Sequence, residues 1–440
     1  MTKAEILRLV EEEDVEFIRL QFTDMFGVLK NVAVPASQLE SALNNECVFD
    51  GYGMDGIWNR SEGDLFLHPD PDTFVILPWR PQQGKVARFL CDVRRADGSA
   101  LPVSTRAMLK RTLQKAKEMG YEVFAHPECE FFLFHTDENG VPTAMSHERA
   151  GFLDVSPLDL GENARREMVL TLENMGFEIE SSFHESARAQ HEIDFKQAEA
   201  LETADKIVTF KNAVRSTAKR FGLHATFMPK PTAGSAGSGM HISFSLYRDG
   251  KNVFFDPEDK DGISDEARWF MGGILAHVKG MCALTNPLVN SYKRLMSGFE
   301  APRDIIWTTR NQNTLIRVHN QRGTDAVIEL RFPDPSANPY LTLTACIAAG
   351  LDGIEKKTDP GAAAAYRFEE RTDAEKAAAG VEHLPETLHE AVACLEQDAF
   401  MKTVLGGEFV QLYTDYKKEE WNEYMSQVSE WEIERYLYRI

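Results

Sequence analysis

The segment Glu128-Cys129-Glu130-Phe131-Phe132-Leu133-Phe134 constrains this chain more than any other. Its apolar run reads as an interior strand. Side chains two apart on a strand share a face, so Glu128 and Glu130 point the same way. Two like charges side by side in a buried strand are costly unless a cation sits between them. A second strand-like stretch repeats the pattern with His184-Glu185 and then Gln190-His191-Glu192. The two segments together suggest one half of a cage for a divalent metal ion.

Two more segments extend the cage: His241 in GSGMHISFSL and Glu329 in VIELRFPDP. Glu128, Glu130, Glu185, Glu192, His241 and Glu329 form an oxygen-rich donor set. Such a set suits hard ions such as Mg²⁺ or Mn²⁺, and no cysteine pair argues for zinc. Any one of these glutamates alone reads as half of a structural ion pair. As a group, several lie in apolar strands with no Lys or Arg beside them, which favours ligation.

Bulk properties exclude some alternatives. The net charge of 48 − 69 = −21 argues against nonspecific binding to nucleic acid or an anionic membrane. A small anionic substrate stays compatible, because a metal site reverses the local field. The six cysteines, with no CxxC pair, read as reduced residues of a cytoplasmic protein. The start, MTKAEILRLVEEEDVEF, reads as an amphipathic helix rather than a targeting segment. No apolar stretch reaches the ~18 residues needed to span a bilayer.

The chain is long enough for two domains. A turn at Asp97-Gly98 with Pro102 puts the boundary near residue 100, dividing 1–100 from 101–440. The first part alternates short strands, with a long functional-looking loop expected over 46–72. Ser104 is the expected N-cap of a helix running to Gly120. The second part mixes strands (121–135, 177–183, 190–195, 223–228, 240–247) with helices (161–175, 198–221, 264–284, 339–354, 385–397, 407–424, 429–438). The expected class is α+β, a small β-rich unit followed by a large one built on an antiparallel sheet. The alanine run 362–365 reads as a surface loop or a helix start.

Other segments are individually weak. GSAGSG at 234–239 cradles phosphate or a substrate amine, or is merely a flexible turn; without a GK[ST] ending it is no P-loop. Arg294, Arg317 and Arg331 are carboxylate or phosphate binders by one reading; Arg331 is a salt-bridge partner of Glu329 by the other. Glu300, in SGFEAP, suits a mobile flap. Asp50, in FDG, is by default a turn residue.

In order along the chain, FIRLQFTDMFGVLKNV, FDG, PECEFFLF, HE…QHEIDF, ATFMPKP…GSGMH, NPLVNSYKRL…GFEAP, RFPDPSANPYL and AGLDGI resemble type I glutamine synthetase. The resemblance covers about residue 10 to the C-terminus, in the short α-type form without the adenylylation insert. It implies a β-grasp-like N-terminal domain and a catalytic domain on a curved antiparallel sheet. The implied chemistry is an ATP-dependent ligation of glutamate and ammonia through γ-glutamyl phosphate. One metal falls to Glu130, Glu185 and Glu192, the other to Glu128, His241 and Glu329. Arg294 and Arg331 match holders of the glutamate carboxylates, and Gly237 the backbone site for its amine. Arg317 and Ser245 match residues on the ATP side. Glu300 matches the flap carboxylate that shields the acyl phosphate. Asp50 matches a residue that a neighbouring subunit donates to deprotonate ammonium. The implied assembly is a dodecamer of two hexameric rings.

The departures from that family cluster. The latch Asp-Gly-Ser-Ser is Asp50-Gly51-Tyr52-Gly53 here, and an ammonium-pocket tyrosine aligns with Phe152. An Asn before the substrate-binding glycine is Ala236, and a His past the metal His is Ser243. Two phosphate-contacting arginines align with Gln312 and Val327, and a Pro-Gly becomes Arg188-Ala189. Arg188, Arg303 and Arg322 are possible replacements for the missing arginines. These changes keep two alternatives open: a γ-glutamyl ligase using another amine, and a weakly active or regulatory paralogue.

Overall fold

The computed structural model describes residues 1–52, 56, 63–79, 83–296, 298–310, 313–319, 326–364 and 371–440. Gly53, Gln312, Arg322 and Ala365 lie outside these. An N-terminal sheet contains β1 (Val15–Thr23), β2 (Leu29–Pro35), β3 (Cys47–Asp50), β4 (Asp64–Pro69), β5 (Val75–Ile76) and β6 (Lys85–Arg94). Its order is β2-β1-β6-β4-β3, with β5 against β6. β1 and β6 run parallel, while the other pairs are antiparallel. Strict alternation puts Ile18, Leu20 and Phe22 of β1 into the core. The stretch 46–72, expected to be one loop, instead contains the paired strands β3 and β4. Val48, Phe49, Leu65 and Leu67 had β propensity that the surrounding Gly and Asp residues masked.

The second sheet contains β7 (Glu122–His135), β8 (Ile179–His184), β9 (Gln190–Phe195), β10 (Ala198–Glu199), β11 (Leu223–Thr226), β12 (Met240–Arg248), β13 (Lys251–Asn252), β14 (Trp307–Thr308), β15 (Ile316–Val318) and β16 (Ile328–Leu330). Its order is β14-β15-β16-β12-β7-β9-β8, with β10 and β11 on β7 and β13 on β12. All pairs are antiparallel except the short β14–β15 pair. The long helices Ala200–Arg220, Asp265–Thr285 and Pro339–Lys356 were legible, their ends shifted by one or two residues. Three short helices, Val289–Leu295, Asp373–Ala378 and Ala399–Leu405, were not. Ser104 occupies the N-cap position of Thr105–Glu118, but its side chain makes no cap hydrogen bond. The main apolar core runs from β1 and β6 through β7 and β12 to the helices. Val123, Ala125, Cys129, Phe131 and Leu133 anchor β7 in it, and β7 carries the first two acids of the site.

Candidate active site

Strand register assembles the donor set. On β7 and β12, Glu128 stands opposite His241. On β7 and β9, Glu130 stands opposite Glu192. On β15 and β16, Arg317 stands opposite Glu329. Glu185 follows directly on β8, where its backbone N–H donates to the Gln190 carbonyl at 2.8 Å. A cleft of about 730 Å³ is lined by Glu128, Glu130, Glu185, Glu192 and His241, with Gly237, Arg294, Glu300, Arg317 and Arg331 also on its walls. Glu329 lies just behind it, buried against His241 and the arginines.

The acids divide into two groups by their partners. Glu128, His241 and Glu329 cluster closely enough to hold one ion. His241 Nδ1 is 3.3 Å from Glu128 Oε2 and 3.5 Å from Glu329 Oε1. Burial would raise Glu128, but the hydrogen bond to His241 and the attraction of His241 and His126 together outweigh it and leave the carboxyl below its usual range. Glu329 is also held low. Burial opposes this, but His319 Nε2 at 2.6 Å, together with His241 and Arg331, overcomes it. Arg331 Nη1 donates to Glu329 Oε1 at 2.6 Å, so the salt bridge is present.

Glu130 and Glu192, on the other side of the cleft, behave in the opposite way. Burial and the nearby Glu185 push Glu130 up to about 8. Burial and Glu130 push Glu192 well above the carboxylate range. Gln190 Nε2 and the Gly239 backbone N–H both donate to Glu130 Oε2, at 2.7 and 3.0 Å. A crowd of carboxyl groups this short of cations fits a divalent ion, and hard oxygen donors fit Mg²⁺ or Mn²⁺. Gly239 leaves little room for a side chain here. A Cβ on it would lie 2.6 Å from Arg294 Nη2 and 3.3 Å from Glu130 Oε1.

Arg294 is buried and donates to the Phe332 carbonyl at 3.0 Å and the Arg331 carbonyl at 3.1 Å. Glu300 is exposed with φ of 56°, a left-handed backbone for a non-glycine, and its Oε1 accepts from Ser186 Oγ at 3.0 Å. Ser245, two residues along the His241 face beyond Ser243, donates to Gln197 Oε1 at 3.3 Å. Asp50 is not brought into this cleft. It is exposed at the end of β3, where its Oδ1 accepts from the Tyr52 N–H at 2.8 Å. Arg303 pairs with Glu386 at 2.7 Å and Asp373 at 3.6 Å, so it is spoken for elsewhere. Arg188 lines an adjoining cavity that shares Ser186, Phe299 and Glu300 with the cleft.

Two of the unusual residues meet. Ala189 and Ala236 form a small buried cluster with Phe132, Phe134 and Ala187. Ala189 has φ of 62°, where a glycine would sit without strain.

Sequence reasoning missed a buried polar network behind the cleft. Glu148 Oε1 accepts from the Ala189 N–H and pairs with His184 Nε2, both at 2.7 Å. Its Oε2 accepts from the Leu160 N–H at 2.8 Å. Arg165 bridges Asp159 and His191 Nδ1, each at 2.8 Å. Glu148, Asp159, His184 and His191 are ligand-type residues within reach of one another. The Arg165 guanidinium already supplies the positive charge there, which argues against a further cation. Its signal was present in the flanks of the acids: His184 precedes Glu185 and His191 precedes Glu192. His319 and Asp194, beside Glu329 and Glu128, were also missed.

The sequence model for the β-grasp domain of glutamine synthetase matches residues 14–96, and that for its catalytic domain matches 102–436. The chain belongs to the glutamine synthetase family. A glutamine synthetase of Clostridium saccharobutylicum is 52% identical over 436 residues, covering 99% of this chain and 98% of that protein. One of Staphylococcus epidermidis is 47% identical over 437 residues, with the same coverage. Among solved structures, a GmaS/ADP complex aligns with TM-score 0.88 at 33% identity, covering 98% of this chain and 99% of that one. Apo GmaS without ligand aligns with TM-score 0.86. Family membership accounts for the order of the motifs, the N-terminal β-grasp and the large catalytic sheet.

Proposed function

We propose that the chain is a glutamate–ammonia ligase that forms glutamine from glutamate, ammonia and ATP. One observation carries this reading: Glu128, Glu130, Glu185, Glu192 and His241 line a single cleft with the buried Arg294 and the half-buried Arg331, and Glu329 lies directly behind them. A γ-carboxylate oxygen of glutamate attacks the terminal phosphorus of ATP, and ADP leaves. Ammonia then attacks the acyl carbon, inorganic phosphate leaves, and the surplus ammonium proton passes to a carboxylate.

Glu130, Glu185 and Glu192 would hold one Mg²⁺ or Mn²⁺, and Glu128, His241 and Glu329 the other. Bound there, the ions would neutralise charge on the transferring phosphoryl group. Arg294 and Arg331 orient the glutamate carboxylates, and the Gly237 backbone receives its amine. Arg317 and Ser245 face the nucleotide. Glu300, over the cleft rim, excludes water from the acyl phosphate. The chain divides at about residue 100 into a β-grasp unit and a catalytic unit.

Asp50 reaches a cleft only if a second copy brings it there. The exposed apolar side chains Trp431, Ile433, Leu437, Tyr438 and Ile440 support self-association. We read the assembly as a dodecamer of two hexameric rings in the cytoplasm, a setting the free cysteines suit. Among the described residues, no helix is long and apolar enough to cross a membrane.

The test is glutamine formation by purified protein with ATP, glutamate and ammonia. Activity with Mg²⁺ or Mn²⁺ supports the assignment, and inactivity with both overturns it. Co-assembled Asp50→Ala and Glu329→Gln chains, each inactive alone, should recover activity if copies share sites. A second reading has its own observation: Phe152, Phe183 and Phe299 give the cleft an apolar side. That surface favours an alkylamine over ammonia, and a comparison of kcat/KM across amines decides between them.

A further inference from the structure

A second cavity, of about 570 Å³, lies between the N-terminal sheet and the helix Ala200–Arg220, and shares no lining residue with the catalytic cleft. Its charged lining residues are Arg19 and Lys30 from the sheet and Lys211 and Arg215 from the helix; no carboxylate lines it. That bias is unexpected in a chain whose acids outnumber its bases by 69 to 48.

The arrangement resists simple explanation as packing. Lys211 and Arg215 are four apart on one helix, so they share a face and repel. Arg19 and Gln21 are two apart on β1 and share the face that meets them. Lys30 is 3.4 Å from the buried Asp24, Lys211 Nζ donates to the Ala337 carbonyl at 3.1 Å, and Arg215 stacks on Phe227 at 5.1 Å. These contacts place the cationic groups without giving Lys211 or Arg215 a carboxylate within hydrogen-bonding range. Burial, with Arg215 adding to it and Cys129 and Asp334 only partly offsetting it, pushes the Lys211 ammonium down to about 8. Gathering cations in a partly desolvated seam is costly unless an anion joins them, by the same electrostatics that made the acid cage require a metal.

We propose that this seam binds a small polyanion carrying at least two carboxylate or phosphate groups. It would be a site distinct from the catalytic cleft. The cavity is roomy enough for a small metabolite, and Gln21, Asn212 and Ser336 add neutral hydrogen-bonding groups to its wall. The site also communicates with the cleft along the chain. Thr226, Phe227 and Met228 line the cavity, and Pro229 follows at once. The Pro229 carbonyl accepts from the Ser238 N–H at 2.9 Å, and a Cβ on Gly237 would sit 2.1 Å from the same oxygen. An anion that tightens the seam therefore bears on the loop that presents Gly237.

The test is calorimetric titration of the full-length, metal-free protein with citrate and, separately, pyrophosphate at constant ionic strength. We expect saturable binding that Arg215→Gln weakens at least tenfold and Arg331→Gln, in the catalytic cleft, leaves unchanged. Arg19→Gln serves as a second seam variant, and thermal melts confirm that each variant folds. Binding of citrate alone assigns a carboxylate ligand, and of pyrophosphate alone a phosphorylated one. Binding of neither overturns the proposal. So does binding that Arg331→Gln abolishes and both seam variants spare. Because the readout is binding, the outcome is independent of whether the cleft makes glutamine.

Discussion

Glu130 and Glu192 are direct cross-strand partners on β7 and β9, two buried acids on one face of the sheet. With Glu130 raised to about 8, the folded chain keeps a proton that the unfolded chain has released. The contribution of Glu130 to stability is therefore complete below the usual carboxylate value of about 4.3. It is lost as pH rises through about 8. Thermal melts of metal-free protein should show this decline between pH 5 and 8. It should shrink in Glu130→Gln, and Mg²⁺ or Mn²⁺ should remove it from the wild type. A decline of equal size in the variant would contradict the assignment.

Arg331, proposed to hold a glutamate carboxylate, is bonded to Glu329. Arg331→Gln should raise the KM for glutamate about ten- to a hundredfold, the loss of about 1.4–3 kcal/mol for a charged hydrogen bond. Arg331→Lys should recover only part of this, since an ammonium lacks the planar fork. Steady-state kinetics with glutamate as the varied substrate provides the check.

Glu148 touches no substrate but ties the 146–161 segment to the β8–β9 turn through His184 and the Ala189 N–H. Burial works against its ionised form, yet the His184 bond, the attraction of His191 and His184 and the Ala189 N–H together outweigh it and hold the carboxyl at about 2. Glu148→Gln keeps the shape and removes the charge. We expect Mn²⁺ affinity, read by electron paramagnetic resonance, to fall about 10–100-fold, as for other residues that orient metal ligands. Unchanged affinity would reduce the network to a purely structural role.

Gly161 leaves no room for a side chain. A Cβ there would lie 2.5 Å from both Cε1 and Nε2 of the buried His191. Gly161→Ala should cost about 1–3 kcal/mol of stability, the usual range for overpacking. Chemical denaturation measures it, and a neutral result would show that His191 can shift.

The legible part of this protein was the part written in strand periodicity. Glu128 and Glu130, two apart, and His241 and Glu329, in apolar runs, announced a shared face before any fold was known. The pairing of Glu130 with Glu192 depends on inter-strand register, which one chain segment cannot specify. The network of Glu148, Asp159 and Arg165 was hidden for a related reason: Glu148 and Asp159 come from a segment without regular periodicity, and nothing in the helix Glu162–Glu173 marks Arg165 as their partner. The strands β3 and β4 were obscured because turn-forming residues surround short apolar stretches. Ser104 shows the converse, a correct cap position whose expected hydrogen bond does not form.

Ala189 and Ala236, packed together beneath Phe132 and Phe134, bear on the routes by which this sequence can change. Ala236→Asn alone would push an amide into a pocket lined by rings and methyl groups. Ala189→Gly first would free a methyl's volume and relax a left-handed backbone. The two substitutions are therefore expected to be epistatic, tolerated in one order and resisted in the other. A lineage at this pair of alanines would stand one ordered path away from its relatives, and neutral drift would seldom take the wrong step first.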